Sequence, residues 1–528
     1  MVSQESMQLR ALLINTPFPF EEQPVPPLGL TYLAATLQES GAEVQILDLL
    51  VTRYSPDTIR RKLLDFQPQV VGATCSTLNY SIAVRILRLC KRIDSNVITL
   101  IGGPHVSFTA TEVIADNPWI DIVVRGESDR TLVELAGALQ DGNDLGQVAG
   151  ITYRNDGAAV TTDSRPLIGE LDRLPLPARH LLPLSRYRAL EQPCTVITSR
   201  GCPFGCIFCS APKMFGRGVR FRSPELVVNE IAHLREELGF KNVNIVDDTF
   251  TVRESHVQTI CEKMIELKLD INWSVYSRVD TINPRMLRLM KEAGCSWICF
   301  GVESGSQTIL DRIKKRITVA QSKEAVKMAK EAGINVLVSF ILGLPGEDSL
   351  TASQTVGLAK ELFSNYGANY GFHILAPMPG TEVCERASDY GIKILTRNWS
   401  KYNANRPVAE TSSFSADQMT QIVADYEQDI NKAWENILER TKAGDTLYQD
   451  RVDRSVSQNF VWGMLRSGAI DQPTISRCQD LERLATVVSN KLEAPFEVVQ
   501  KELSRLVKQG DLVFAASPGK KQPEWHWR

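Results

Sequence analysis

The sequence predicts an α/β protein in three parts. A doubly wound, Rossmann-like parallel sheet comes first, then a partial (β/α)6 TIM-like barrel, then a small, mainly α, winged-helix-like module. Three observations predict this order. Two stretches alternate short Val/Ile-rich runs with helical periodicity. A proline-rich segment stands between them. The alternation fades after about residue 395. At 528 residues, with 43% hydrophobic and 23% charged content, the chain has room for roughly two to four domains, each with its own core.

Residues 1–145 form the first part. "ALLIN" leads into "LGLTYLAATLQESG", whose apolar positions recur at helical spacing before Gly41. "EVQILDL", "VVGATC", "VITLIGG" and "DIVVRGE" follow as buried-strand candidates, and such alternation implies parallel strands with crossover helices. Ligands of this architecture sit beyond the carboxyl ends of the strands. Those ends carry small or glycine-rich loops at 75–80, 102–107 and 126–128. None of them is a GxGxxG fingerprint, which argues against a dinucleotide.

Residues 146–190, with prolines at 166, 175, 177 and 183, read as a tether. The barrel is expected over 191–395, with strands in "TVITS", "VNIVDD", "NWSVYSR", "WICFGVE", "NVLVSFILG" and "YGFHILAP". Between them "SPELVVNEIAHLREELG" and "TVAQSKEAVKMAKEAG" open on Ser or Thr and close on Gly, as helix caps require. Six βα units are too few for a full eight-stranded barrel, and the active site of a partial one faces the carboxyl ends of its strands. A helical connector is expected over 396–452. The module over 453–528 holds two helices, the second passing through Gly510 into an apolar strand. That pattern suits a packing or peptide-docking element.

A net charge of −3 lacks the clustered basic excess of a nucleic-acid footprint. No apolar run approaches the roughly 18 residues of a membrane span, and the first residues lack the marks of a signal peptide. A cytoplasmic protein is expected. Of eleven cysteines, eight are scattered, as buried small hydrophobes in a reducing compartment would be. The other three, Cys202, Cys206 and Cys209, form CxxxCxxC inside "TSRGCPFGCIFCSAP". A structural zinc site wants four protein ligands, so a distant His or Cys194 would have to complete one. Three thiolates instead suit three irons of a cubane, leaving the fourth iron open to a small molecule.

With Phe208 at its aromatic position, this motif resembles the CxxxCxΦC signature of the radical S-adenosylmethionine (SAM) superfamily over roughly 190–390. The resemblance implies that the three cysteines hold a 4Fe-4S cluster whose unique iron binds SAM, and that reductive cleavage yields a 5′-deoxyadenosyl radical. It further implies SAM contacts from Phe208, Asp247, Asp248, Ser277, Arg278, Glu303, Ser304 and Gly343, the last within "ILGLPGED". The bland alternative for Asp247 and Asp248 is a solvated loop cap. Glu303 ends an apolar strand, where an unpaired carboxylate is costly to bury.

Together with "PPLGLTYLAATL", "GGPH" and "VRGES", the layout resembles the cobalamin-binding radical SAM class, with its B12-binding domain at the N-terminus. That likeness implies cobalamin contacts from Ser76, Thr77, Leu78, Gly102, Gly103, His105, Gly126 and Glu127. One departure is visible. The residues two before the six histidines are Gly103, Ala178, Ile231, Glu254, Gly371 and Glu524, so the DxHxxG motif that supplies a lower cobalt ligand is absent. His105 is alternatively a loop-capping histidine.

The class implies a methyltransferase acting on an unactivated carbon of a small-molecule or peptide substrate, with flavodoxin or ferredoxin as the type of one-electron donor. The alternative is a non-methylating oxidoreductase, cyclase or ring-rearranging enzyme like the anaerobic porphyrin-ring cyclases. Further alternatives are a corrinoid-free radical SAM enzyme and a non-catalytic carrier. His373 and Tyr370 are expected on the substrate side, and Cys295 and Cys299 as packing residues.

Overall fold

The computed structural model describes residues 8–18, 24–516 and 522–528. Its first sheet has seven strands: β1 (Arg10–Asn15), β2 (Glu43–Asp48), β3 (Val70–Thr74), β4 (Ile98–Gly102), β5 (Ile122–Val124), β6 (Ile151–Asn155) and β7 (Ala158–Thr161). They run in the order β2-β1-β3-β4-β5-β6-β7. The first five pair in parallel, with helices on both faces. Hence β1 reads as an almost continuous apolar run, five of its six residues being buried. The order 2-1-3-4-5 reverses between β1 and β3, which opens a crevice at their carboxyl ends.

The tether is shorter than 146–190. β6 and β7 are an antiparallel extension of this sheet, joined by Asp156 and Gly157 in left-handed conformations (φ 47° and 83°). An Asp-Gly pair between alternating residues is the standard two-residue hairpin signal, and here it outweighs the proline count further on. From 163 to 193 the chain is true tether. It carries the short helix Leu184–Ala189, and it is stapled to the first domain where the Tyr187 hydroxyl donates to Asp48 at 2.5 Å.

The second sheet is the expected open barrel. β8 (Cys194–Val196) is followed by the small antiparallel pair β9 (Ser199–Arg200) and β10 (Arg220–Phe221). Then come β11 (Asn242–Ile245), β12 (Asn272–Ser277), β13 (Cys295–Glu303), β14 (Asn335–Leu342) and β15 (Asn369–Ile374). The six long-range partners run β8-β11-β12-β13-β14-β15, all parallel. Trp273, Phe300 and Phe340 point outward into the helix layer and are fully buried. The helix Val319–Glu331 starts on a Thr318/Gln321 capping box.

A buried charge cluster fixes the tether to the barrel. Glu230 lies between Arg179 at 2.5 Å and Arg222 at 2.6 Å, all three nearly solvent-free. The main helix of the 396–452 connector is Ala416–Lys442. Before that helix, Ala409–Thr411 pairs with Ile392–Ile394, because short alternating runs on either side of a polar loop close as a hairpin. In the last module, helix Gln449–Ser467 begins ahead of the expected boundary at 453. Helices Leu481–Leu492 and Phe496–Gln509 and the hairpin Leu512–Ala516/Pro523–Trp527 complete a winged-helix-like arrangement. It rests on the tether through Arg188–Asp511 and Arg186–Asp471, at 2.8 and 2.7 Å. Among the described residues no helix is long and apolar enough to cross a membrane.

Candidate functional site

Side chains alternate along a strand, so the odd-numbered residues of β13 and β15 face the barrel interior. A cavity of about 450 Å³ opens there at the carboxyl ends of the strands, and Cys202, Cys206 and Cys209 line one wall of it. Gly201 makes the turn into this loop possible. Its φ is 101°, and a Cβ would stand 2.7 Å from the Gly218 carbonyl oxygen. The Cys202 amide donates to the Gly216 carbonyl at 3.2 Å, and Thr249 Oγ1 lies 3.9 Å from its sulfur.

Two cations flank the thiols. Arg278 Nη1 approaches Cys206 Sγ at 3.9 Å, and its guanidinium stacks 3.6 Å over the Phe204 ring. The guanidinium is held by Asp280, with two 2.9 Å hydrogen bonds, and by the Lys315 carbonyl at 2.7 Å. Burial pushes the Cys206 thiol up, while the Lys315 ammonium and Arg278 pull it back. Burial likewise lifts Cys209 to about 11. A metal would replace the proton on each thiol, so the cations offset charge in the state that matters.

Lys315 Nζ also holds Glu303 Oε1 at 2.6 Å, both side chains under a tenth exposed. Glu303 ends β13 at a register shift with φ 70°, an unusual conformation that costs ~1–3 kcal/mol and needs local support. Gly301 provides room, since a Cβ there would lie 2.4 Å from Glu303 Oε1 and 3.1 Å from Lys315 Nζ. Neighbouring Ser277, Ser339 and His373 complete the polar lining, and Asp248 stands at the mouth. Burial raises the Asp248 carboxyl, assisted by Asp247, and lowers the His373 imidazole.

Phe208, Asp248, Ser277, Arg278, Glu303 and His373 therefore converge with the cysteines, and four expected residues do not. Asp247 turns inward and accepts from Thr198 N at 2.7 Å, Thr198 Oγ1 at 2.5 Å and Ser199 Oγ at 2.6 Å, so it pins the start of the cysteine loop. Ser304 is buried against Thr355, at 3.1 Å between hydroxyls. Gly343 lies beneath Met419, where a Cβ would come 2.6 Å from the sulfur. Tyr370 is on the outer face of β15, its ring edge-on to Phe372 and tilted against Tyr426.

Lys315, Thr249 and Phe204 were not legible as site residues, although a carboxylate ending an apolar strand implies a cation such as Lys315. Cys299, expected to pack, lines the cavity instead. Cys194 is buried in β8 beside Arg179, and among the described residues no three His, Cys, Asp or Glu side chains converge on one ion. The three thiols line one cavity without closing on a single ion, which fits a larger body. A donor set of three thiols, two cations and a hydrogen-bonding far wall fits an iron–sulfur cluster with a zwitterionic ligand beside it.

A second cavity, of about 240 Å³, lies at the crevice of the first sheet. Gly29, Gly72, Gly102, Gly103 and Gly126 line it together with Leu13, Leu30 and Leu33, so backbone forms much of the wall. A slot of this kind fits a flat apolar group, such as part of a corrinoid. Of the expected contacts, Gly102, Gly103 and Gly126 are here.

Ser76, Thr77 and Leu78 form the loop after β3, outside this wall. Ser76 N donates to Asn79 Oδ1 at 2.8 Å. His105 is buried, with Nδ1 3.2 Å from Thr77 Oγ1 and its ring between Tyr80 and Trp399. Burial holds its pKa down at about 4. It is a packing residue, in keeping with the missing lower-ligand motif. Glu127 is engaged by Arg220 through two bonds of 2.7 and 2.8 Å.

Residues 196–357 match the model of the Radical SAM superfamily, and 22–136 that of the B12 binding domain. An uncharacterized methyltransferase of Pyrococcus horikoshii is 39% identical over 399 residues, covering 75% of this chain and 86% of that protein. The anaerobic magnesium-protoporphyrin IX monomethyl ester cyclase of Rubrivivax gelatinosus is 30% identical over 423 residues, covering 78% and 74%. Among solved structures, the cobalamin-dependent S-adenosylmethionine radical enzyme OxsB, with aqua-cobalamin and S-adenosylmethionine bound, superposes with a TM-score of 0.69 at 18% identity. It covers 96% of this chain and 81% of its own, a likeness of fold.

Proposed function

The chain belongs to the cobalamin-binding radical SAM family, and from that premise we propose that it methylates an unactivated carbon of a small-molecule or peptide substrate. The observation that carries this reading is the pair of built cavities. One is lined by three thiols with cations beside them, the other by glycines at a sheet crevice, and a single hairpin joins the two. When bound, the cluster and SAM supply a radical able to take a hydrogen atom, and cobalamin supplies the methyl group.

Everything else is the work of this chain's residues. Cys202, Cys206 and Cys209 hold the cluster as thiolates, and Lys315 and Arg278 offset its charge. Glu303, fixed by Lys315, presents its carboxylate to hydroxyl or ammonium groups of SAM, joined by Ser277 and by Asp248 at the mouth. The barrel wall keeps water from the reacting carbon. His373, whose pKa desolvation lowers, faces the substrate side. Gly102, Gly103 and Gly126 admit the corrinoid. An electron donor of the flavodoxin or ferredoxin type supplies the reductant.

Methylation is favoured over cyclisation because the methyltransferase relative is the more similar, 39% against 30%. Anaerobically reconstituted protein loaded with hydroxocobalamin, reduced, and given SAM labelled on its methyl group should pass label to the bound corrinoid and release S-adenosylhomocysteine. The cyclase reading instead requires 5′-deoxyadenosine with no label on the corrinoid, an outcome that would remove methylation. Replacing any one of the three cysteines by alanine should abolish iron retention, whereas Cys299→Ala should not.

A further inference from the structure

The two cavities come within two residues of each other along the chain. Arg200 lines the first-domain cavity, and two positions later Cys202 lines the barrel cavity. Arg200 pairs in β9 with Arg220 of β10. Its guanidinium bonds Asp129 at 2.9 Å and reaches Glu127 at 3.5 Å, while Arg220 holds Glu127 at 2.7 Å, each side chain at most 13% exposed. Both carboxylates come from the segment after β5 that walls the first cavity, and both guanidiniums from the hairpin that carries the cysteine loop. Neither side of this lattice can be neutral without the other.

We propose that the lattice couples the two ligand sites, so that filling the first-domain cavity and assembling the group held by Cys202, Cys206 and Cys209 favour one another through Arg200. The inference rests on the reading above that these groups are a corrinoid and an iron–sulfur cluster. A ligand in the first cavity removes water from beside the Arg200–Asp129 pair, lowers the local dielectric and strengthens the attraction. The firmer pair holds Ser199 and Arg200 in register. The tight turn at Gly201 passes that order directly to Cys202. In the reverse direction, a metal-bound Cys202 orders Arg200 at the cavity wall before any ligand arrives, so less freedom remains to be lost on binding. Linkage makes the factor equal in both directions.

Full-length protein, prepared anaerobically with and without the cluster, can be titrated with hydroxocobalamin by equilibrium dialysis. Iron loss to a chelator is followed with and without hydroxocobalamin. The cluster-loaded protein should bind roughly fivefold more tightly or better, the lower end of ordinary coupling, and hydroxocobalamin should slow iron loss. In Arg200→Gln, and independently in the isosteric Asp129→Asn, the affinity ratio should fall to about one while hydroxocobalamin still binds. Arg165→Gln, which breaks an ion pair between the tether and Glu134 of the first domain, should leave the ratio intact. Equal affinities in the parent forms, or a ratio unchanged in both lattice variants, overturn the coupling and leave the cofactor reading standing. No binding by either parent form overturns both.

Discussion

Raising the pH from 5 to 8 should weaken the barrel, and Glu347→Gln should remove most of that sensitivity. Glu347 sits in the loop after β14 with no solvent exposure. One carboxyl oxygen accepts the Gly343 amide, and the other has no partner among the described residues. Burial lifts its pKa from 4.5 to about 8, against the pull of the Gly343 and Leu344 amides. Below about pH 4.5 both folded and unfolded states carry the proton, and the site costs nothing. Above it the unfolded chain releases its proton while the folded one keeps it, so stability falls until pH passes the folded value.

At 1.36 kcal/mol per unit, the gap from 4.5 to pH 7 is worth about 3 kcal/mol, and to pH 8, where the folded carboxyl is itself half ionised, about 4 kcal/mol. In a folding unit of about 200 residues, 3 kcal/mol corresponds to ~6–12 °C in melting temperature. Glutamine keeps the acceptor for Gly343 and stays neutral, so Glu347→Gln should melt that much above the parent at pH 7 and only a few degrees above it at pH 5.5. Thermal unfolding of both proteins at pH 5.5, 7 and 8 checks this. Parallel pH dependences for the two would refute the assignment of a buried, protonated carboxyl.

Gly301→Ala should drive the Glu303 carboxylate off Lys315 and weaken binding of a SAM analogue about tenfold or more, with iron content unchanged; isothermal titration of cluster-loaded protein reads this. Glu230→Ala strips the carboxylate from two buried guanidiniums and should cost ~3–5 kcal/mol, seen as a large drop in melting temperature. His105→Phe should leave hydroxocobalamin affinity within about twofold and the bound absorption spectrum unchanged, because that ring touches Tyr80 and Trp399 rather than a ligand.

The parts of the site legible in the sequence are those in which neighbours in the chain are neighbours in space. The three cysteines fall within eight positions, and Glu303 ends a strand whose apolar run announces its burial. The corrections follow from alternation. Tyr370 and His373 are three apart on one strand, so only one of them faces inward, and the same rule separates Ser304 from Glu303. Asp247 and Asp248 divide likewise, one pinning the chain and the other opening to the cavity. Lys315 was hidden because its loop reaches Glu303 only through the packing of helix Gln307–Arg312. The hairpin at Asp156–Gly157 was readable, yet the prolines after it drew the boundary too early.

The seams between the three parts also bear on engineering. Tyr187–Asp48 and the Arg200/Arg220–Glu127/Asp129 quartet each place one partner in the first domain and its complement in the tether or barrel. A chimera that grafts the first domain of a relative onto this barrel would inherit mismatched halves of these pairs and strand charges in a dry boundary. Transplanting the matching residues along with the domain is therefore a design rule for recombining such proteins, whatever molecule each relative modifies.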